Sequence, residues 1–241
     1  MSDAAFTPRD LHWHPRPLYP DYRSTRLRAP RHKPLRIDQT QTELTGPTFG
    51  HDVLSPLDND LILNYAKPGE CAIGSQIIVH GKLLDEYARP VRGKLIEIWQ
   101  ANAGGRYRHL KDGYTAPLDE NFGGCGRTVT GEDGSYNFRT IQPGPYPWPN
   151  GGNDWRPAHI HFSVFGDGFA QRLITQMYFE GDPHIALCPI VHSITESRAI
   201  DALIAKLDME TTVPMEIRAY RFDIVLRGRA ATLFENQKDG R

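Results

Sequence analysis

The sequence has few cysteines, no long apolar run and almost no net charge, and each of these absences excludes a class of protein. Its three cysteines (Cys71, Cys125 and Cys188) form no CxxC pair, and a sparse, odd set is typical of unpaired thiols in a reducing compartment. No apolar run approaches the ~18–20 residues that a membrane-spanning helix needs. The first twenty residues lack the apolar segment of a secretory signal. We therefore expect a cytoplasmic protein.

The charge balance gives no reason to expect nucleic acid or an acidic membrane as a partner. The 28 Lys and Arg residues nearly cancel the 29 Asp and Glu residues, which leaves a net charge of -1. A composition that is 39% hydrophobic and 24% charged is typical of a globular protein and not of a disordered one. The 241 residues are enough for one all-β domain.

The N-terminal segment differs from the rest of the chain because it is rich in proline. Six prolines fall within residues 1–40 and prevent a long helix there. A disordered tail is one interpretation. However, aromatic residues such as Trp13 and Tyr22 are interleaved with the prolines, and disordered tails have few aromatics. We predict an extended arm over 1–40 that packs along its own domain or wraps a partner, followed by a single catalytic domain over 41–241.

From Gln76 onward the sequence has the pattern of many short strands. Runs rich in β-branched and aromatic residues occupy 76–85, 93–101, 159–165, 172–179 and 216–228. Residues 128–138 predict a hairpin with Asp133 and Gly134 in the turn. This pattern predicts an all-β fold, a β-sandwich of mixed and antiparallel sheets with one or two short helices.

One helix and two long loops interrupt the predicted strands. Apolar residues repeat at helical spacing over about 195–208, and Ser193 and Glu196 could form a capping box before them. The loops cover roughly 102–127 and 142–157. Loops of that length in a compact domain are usually functional, so we expect them to contribute to the active site.

A His-x-His sequence in the strand at 159–165 is the first candidate for chemistry. Residues two apart in a strand point to the same face, so His159 and His161 project together while Ile160, Phe162 and Val164 point into the core. Two imidazoles on one face can bind one metal. The alternative is a pair of ordinary histidines on the exposed face of a sheet.

Two tyrosines add a second kind of candidate ligand. Tyr146 lies between Pro145 and Pro147, which restrict its backbone, and Tyr107 follows a Gly-Gly turn. Either could be an ordinary packed aromatic. A strongly charged cation can hold a tyrosine as phenolate. Phenolate is a hard donor, so two tyrosines and two histidines together indicate Fe(III) rather than the ferrous ion of a 2-His-1-carboxylate site.

These segments resemble the intradiol ring-cleaving dioxygenases. The resemblance is carried by the following stretches: Ile96-Glu97-Ile98-Trp99-Gln100-Ala101-Asn102, Gly105-Arg106-Tyr107, Pro143-Gly144-Pro145-Tyr146-Pro147 and Arg156-Pro157-Ala158-His159-Ile160-His161. Within the family, the catechol and hydroxyquinol branches begin with a helical segment. This chain begins instead with the Pro-rich sequence WHPRPLYPDYR, as the β chains of the protocatechuate branch do.

The resemblance implies a non-haem Fe(III) enzyme that cleaves protocatechuate (3,4-dihydroxybenzoate) with O2 to 3-carboxy-cis,cis-muconate. It implies Tyr107 and His159 as equatorial iron ligands, Tyr146 and His161 as axial ligands, and Tyr146 as a base. Arg156 would lie beside the bound catecholate and stabilise negative charge. Positions that contact the substrate or line the pocket would be Tyr22, Trp99, Trp148, Gln176 and Ile190. A homologous α chain without iron ligands would complete the pocket in an assembly of many α–β units.

Several alternatives stay open at this point. The ring substrate could be catechol, hydroxyquinol or a chlorinated catechol. The chain could be a non-catalytic β-sandwich of the transthyretin-like kind, which would explain the strands but not the tyrosines and histidines. Arg156 could form a structural salt bridge. Binding of nucleic acid by the basic arm is disfavoured because the rest of the chain balances its charge.

Overall fold

The structure is a computed structural model, and it describes residues 13–32, 54–166, 172–226 and 232. The predicted boundary between arm and domain at residues 40 and 41 lies outside the described residues. None of the helices within the described ranges has the length and apolar character needed to span a bilayer.

Strands dominate the described chain. They are β1 (Gln76–Asp85), β2 (Leu95–Gln100), β3 (Cys125–Val129), β4 (Ser135–Ile141), β5 (Tyr146–Pro147), β6 (Trp155–Arg156), β7 (His159–Phe165), β8 (Arg172–Phe179), β9 (Ile204–Val213), β10 (Ile217–Arg221) and β11 (Ile224–Leu226). The helices are short: α1 (Thr25–Arg28), α2 (Pro189–His192), α3 (Ser197–Asp201) and a 3₁₀ helix at Pro183–Leu187. The predicted all-β class with few short helices is confirmed.

The strands pair in a mixed sheet that encloses one core. Its order is β11-β1-β10-β9-β8-β7-β2-β3, with β4 on β1, while β5 and β6 form a separate pair. The β1–β10, β1–β11 and β8–β9 pairs are parallel, and the other pairs are antiparallel. Buried side chains from opposite parts of the sheet meet in one cluster, which includes Ile77, Val79, Ile98, Phe138, Ile160, Phe162 and Met177. This packing of strands on strands is the predicted sandwich.

The helix predicted over about 195–208 is wrong in its extent. The helix α3 covers Ser197–Asp201 alone, and the chain enters β9 at Ile204. Ile204 pairs with Tyr178 of β8, so strand pairing overrides the helical spacing of the apolar residues. The capping box is not formed either, because Glu196 is the N-cap and accepts from the Arg198 N–H.

Two strand predictions also need correction. The turn at Asp133–Gly134 exists, with the Gly131 N–H donating to the Ser135 carbonyl at 2.8 Å. Yet β3 pairs with β2 and β4 pairs with β1, so this turn connects two different strand pairs and is not a hairpin. The predicted strand over 216–228 is divided into β10 and β11, with Phe222 and Asp223 between them. Its last two residues lie outside the described ranges.

The described part of the arm packs along its own domain, which is one of the two arrangements that the sequence left open. The Arg16 N–H donates to the Ser193 carbonyl at 2.8 Å. The Arg23 N–H donates to Asn150 Oδ1, also at 2.8 Å, and Trp13 packs against a small apolar cluster beside β8. These contacts fix the arm next to the loop that carries Tyr146.

Candidate metal centre

The two histidines lie on β7 in register with polar and aromatic residues of the neighbouring strands. His161 pairs with Trp99 of β2 on one side and with Gln176 of β8 on the other. His159 pairs with Tyr178 of β8. Both histidines are buried, with 1% of His159 and 8% of His161 exposed, so the alternative of two ordinary surface histidines is wrong.

Both tyrosine hydroxyls reach these imidazoles. Tyr107 Oη lies 3.0 Å from His161 Nε2 and 3.4 Å from His159 Nε2. Tyr146 Oη lies 3.4 Å from His159 Nε2. The two tyrosine rings meet edge to face, with centroids 5.5 Å apart. The structure therefore brings together, from three separate segments, the four side chains that the sequence predicted as ligands.

Glycines allow the two tyrosine-bearing loops to cross at short range. Gly105 has a φ of +81°, and a Cβ there would lie 2.3 Å from the carbonyl oxygen of Pro145. A Cβ on Gly144 would lie 2.4 Å from the carbonyl oxygen of Ala103. Real atoms do not approach so closely, so a side chain at either position would push the loops apart. The glycines thus set the separation of Tyr107 and Tyr146.

We expect Gly105→Ala to weaken both the fold and the site. The left-handed backbone alone costs about 1–2 kcal/mol for a residue with a Cβ, and the contact with the Pro145 carbonyl adds to this. The melting temperature should fall by roughly 2–4 °C for each kcal/mol lost. Metal analysis of the folded variant should show less bound metal.

Gly113→Ala is the matched control for this substitution. Gly113 belongs to the same loop, but a Cβ there meets nothing within 4 Å. Its melting temperature and metal content should stay close to those of the parent protein. Equal melting curves for the Gly105 and Gly113 variants would contradict the role given to Gly105.

Two polar side chains that the sequence reasoning missed hold the loop of Tyr107. Asn102 is buried, and its Oδ1 accepts from the Gly104 N–H at 3.0 Å and from the Arg106 N–H at 2.9 Å. Asp112 Oδ2 accepts from the Tyr107 N–H at 2.8 Å. Asparagine and aspartate commonly stabilise turns in this way, but the sequence does not show which backbone groups they contact.

The surroundings of His159 favour a neutral imidazole with one unprotonated nitrogen, Nε2, which faces the tyrosine hydroxyls. Its Nδ1–H donates to the Pro157 carbonyl at 2.7 Å, which directs Nε2 toward the tyrosines. Burial, then the charges of Arg156 and His161, hold the pKa of His159 well below its usual value. A ring oriented by a backbone carbonyl is typical of metal-binding histidines. His161 is oriented differently, stacked on Trp99 with centroids 4.7 Å apart.

Arg156 lies beside this cluster as a buried cation. It pairs with Tyr146 across β5 and β6 and is 6% exposed. Burial opposes its charge, but Tyr178 and Tyr146 raise the pKa of the guanidinium above its usual value. Within the described ranges Arg156 forms no ion pair with a carboxylate, so the alternative of a structural salt bridge finds no support. Its Nη2 donates to Gln176 Oε1 instead.

Two of the predicted substrate-contact residues, Trp148 and Tyr22, form a row that leads from Arg156 to the arm. Arg156 Cζ lies 5.9 Å from the ring centroid of Trp148. The Trp148 ring meets the edge of Tyr22 at 5.5 Å, and Arg28 Cζ lies 4.6 Å from the Tyr22 centroid. Ile190 packs on the apolar cluster beside β8 that contains Tyr178. Aromatic rings and guanidinium groups in such a row can hold a flat aromatic ligand.

Among the described residues, a metal ion at this site would need the tyrosine oxygens as donors. In the part of the chain that the structure describes, no group of three or more histidine, cysteine or carboxylate side chains is placed to hold a metal ion. A 2-His-1-carboxylate site is therefore not formed among these residues. Two phenol oxygens and two imidazole nitrogens remain as donors, and the hard oxygen donors fit a ferric ion.

Comparison with known proteins gives consistent matches over most of the chain. A family model described as "Dioxygenase" matches residues 44–228, and one described as "Protocatechuate 3,4-dioxygenase beta subunit N terminal" matches residues 7–40. The protocatechuate 3,4-dioxygenase beta chain of Burkholderia cepacia is 49% identical over 97% of this chain and 99% of its own length. The alpha chain of the Pseudomonas putida enzyme is 33% identical over 73% of this chain and 83% of its own length.

A solved structure supports the same relationship. The crystal structure of 3-chlorocatechol 1,2-dioxygenase from Rhodococcus opacus 1CP is similar with a TM-score of 0.52 and 25% identity. The match covers 77% of this chain and 72% of that chain. Similarity to proteins that act on different diols is consistent with a shared scaffold for one kind of reaction.

Proposed function

This chain belongs to the intradiol dioxygenase family, and we propose that it is the iron-bearing β subunit of an enzyme that cleaves protocatechuate. The proposed product of the reaction with O2 is 3-carboxy-cis,cis-muconate. The observation that carries the proposal is the cluster of Tyr107, Tyr146, His159 and His161, in which each tyrosine oxygen lies 3.0–3.4 Å from at least one histidine Nε2. Family membership favours an enzyme over the transthyretin-like binding module.

We infer that these four side chains hold a non-haem Fe(III). The anchored ring of His159 supports this assignment, because its Nε2 carries the free electron pair that a metal needs. When bound, ferric iron supplies Lewis acidity and an electron-accepting centre for an electron-rich diol.

Within this proposal Tyr146 acts as a base for the arriving diol. A catechol has two hydroxyl protons to lose, and the phenolate form of Tyr146 can accept one of them at Oη. Tyr146 is half-buried at the edge of the cluster, whereas both histidines are buried. Its loop can therefore yield more readily than β7.

Arg156 is proposed to stabilise negative charge on the substrate. Its guanidinium is fixed before the substrate arrives, since Nη2 already donates to Gln176. Buried donors that are fixed in advance stabilise developing charge more effectively than mobile ones. Its Nε is buried and has no hydrogen-bond partner among the described residues, so one donor is still available.

We propose that the arm and a second chain determine which aromatic diol the enzyme binds. Tyr22 and Trp148 would contact the ring and its carboxylate, and Ile190 and Gln176 would lie nearby. Similarity to an alpha chain supports a partner of the same fold. We propose that a homologous α chain completes the pocket.

Co-expression with such an α chain tests the proposed function. The purified complex should contain iron, be red-brown and consume O2 with protocatechuate. Its kcat/KM for protocatechuate should exceed that for catechol by more than about tenfold, which corresponds to ~1.4 kcal/mol. If the complex turned over catechol or hydroxyquinol faster than protocatechuate, the proposal that protocatechuate is the substrate would be wrong. Absence of iron from active complex would refute the proposed cofactor.

A further inference from the structure

Tyr178 is a buried tyrosine next to the site for which the sequence predicted no role. It lies two residues after Gln176 on β8, so the two side chains share one face of the strand. Opposite them on β7 lie His159 and His161. The Gln-x-Tyr of β8 therefore faces the His-x-His of β7, and only 2% of Tyr178 is exposed.

The hydroxyl of Tyr178 closes a ring of hydrogen bonds with Arg156 and Gln176. Tyr178 Oη donates to Gln176 Oε1 at 3.0 Å. Arg156 Nη2 donates to the same Oε1 and lies 3.5 Å from Tyr178 Oη. All three side chains are buried, so these bonds form where water does not compete with them.

This arrangement fixes which end of the Gln176 amide faces the arginine. A glutamine amide can present either its oxygen or its NH2 group, and only the oxygen can accept from a guanidinium. Because Tyr178 donates to Oε1 as well, two donors converge on the oxygen. The reversed amide would place NH2 against the guanidinium, which can only donate, and it would lose the second bond that Tyr178 donates to Oε1.

Tyr178 itself is held firmly enough to play this part. Its ring belongs to a buried apolar cluster that includes Cys188, Val191 and Leu203. Its backbone N–H donates to the Leu203 carbonyl at 2.8 Å. The ring also lies against His159, with centroids 6.1 Å apart. A residue fixed by packing on one side can orient polar groups on the other.

We propose that Tyr178 is a positioning residue, which orients Gln176 and through it fixes the guanidinium of Arg156 for its work on the substrate. This inference rests on the proposed function, since it assumes that Arg156 acts on the bound diol. Tyr178 contacts neither substrate nor reacting atoms in this assignment. Its effect should therefore appear in kcat more than in KM.

The test uses Tyr178→Phe in the α–β complex, because this change removes the hydroxyl and keeps the ring. We expect iron content and KM close to those of the parent and a kcat reduced about tenfold or more, as for loss of a hydrogen bond in a charged network. In an Arg156→Lys background the same change should have little further effect, because lysine cannot reproduce the guanidinium geometry. An equal factor in both backgrounds, or an unchanged kcat, would overturn the proposal.

Tyr136→Phe is the matched control. Tyr136 is also buried, and its hydroxyl donates to the Phe222 carbonyl away from the cluster. This variant should lose stability but keep kcat, and an equal loss of kcat in both tyrosine variants would show a general effect of core hydroxyls.

A second measurement does not depend on activity. In the assembled α–β complex, Tyr178→Phe and Gln176→Leu should be non-additive in the free energy of unfolding, because both remove the same hydrogen bond. Additive effects would overturn the proposed contact. If the parent complex turned over no diol, the proposed function would fail, while this unfolding cycle would still report on the contact.

Discussion

His161→Ala should leave the folded chain with little iron and without visible colour. His161 Nε2 lies 3.0 Å from Tyr107 Oη, and its ring stacks on Trp99. Removing it deletes one of four donors at a buried position, and the described residues place no third histidine, cysteine or carboxylate there to replace it. Loss of a residue that merely supports a metal ligand lowers the affinity for the metal by about 10–100-fold. Loss of the ligand itself should therefore lower that affinity by more than this factor.

The measurements are metal analysis of the purified complex and its visible absorption spectrum. A circular dichroism spectrum must accompany them, because alanine at a buried site also leaves a cavity next to Trp99. His80→Ala is the matched control, since His80 lies on β1 with its Nε2 2.9 Å from Asp208 Oδ2 and contributes nothing to the cluster. If His161→Ala kept its full iron content and colour, His161 would not be an iron ligand.

Parts of the cluster of Tyr107, Tyr146, His159 and His161 could be predicted because they depend on local rules, although the contacts between its tyrosines and histidines join three separate segments. The period of two in a strand places His159 and His161 on one face whatever the rest of the fold does. The prolines around Tyr146 restrict its backbone from within the same segment. The strand β1 was also predictable, and its observed bounds match the predicted 76–85. Each of these features is encoded by residues that are neighbours in the sequence.

The features that sequence reasoning missed depend on contacts between distant segments. The residues around Ile204 have helical spacing, but pairing of Ile204 with Tyr178 draws the segment into β9. Asp112 accepts a hydrogen bond from the Tyr107 backbone N–H, and no sequence motif predicts this contact. Side chains alternate between the two faces of a strand. Because Met177 points into the core, its neighbours Gln176 and Tyr178 must share the opposite face, which carries the histidines on β7. The contact of Tyr178 with Arg156 depends on how β6 and β8 are placed relative to each other, which the sequence does not show.

Tyr146→Phe should retain iron and yet lose most of its turnover. Tyr107, His159 and His161 remain as donors, and the phenylalanine ring keeps the edge-to-face contact with Tyr107. What disappears is the oxygen 3.4 Å from His159 Nε2, and with it the proposed acceptor for a diol proton. General base catalysis contributes about 10²–10⁴-fold, so kcat with protocatechuate should fall by a factor in that range.

Tyr114→Phe provides the comparison for this change. Tyr114 lies in the other long loop and packs edge to face on Trp155 at 6.4 Å, without a place in the ligand cluster. It should keep both iron and turnover. Normal turnover of Tyr146→Phe would reduce Tyr146 to a packing aromatic, whereas loss of iron would make it a ligand essential for holding the metal and not a displaceable base. The two histidines are anchored on a central strand and Tyr146 on a two-residue strand, so Tyr146 is the donor that the fold leaves most able to move when substrate binds.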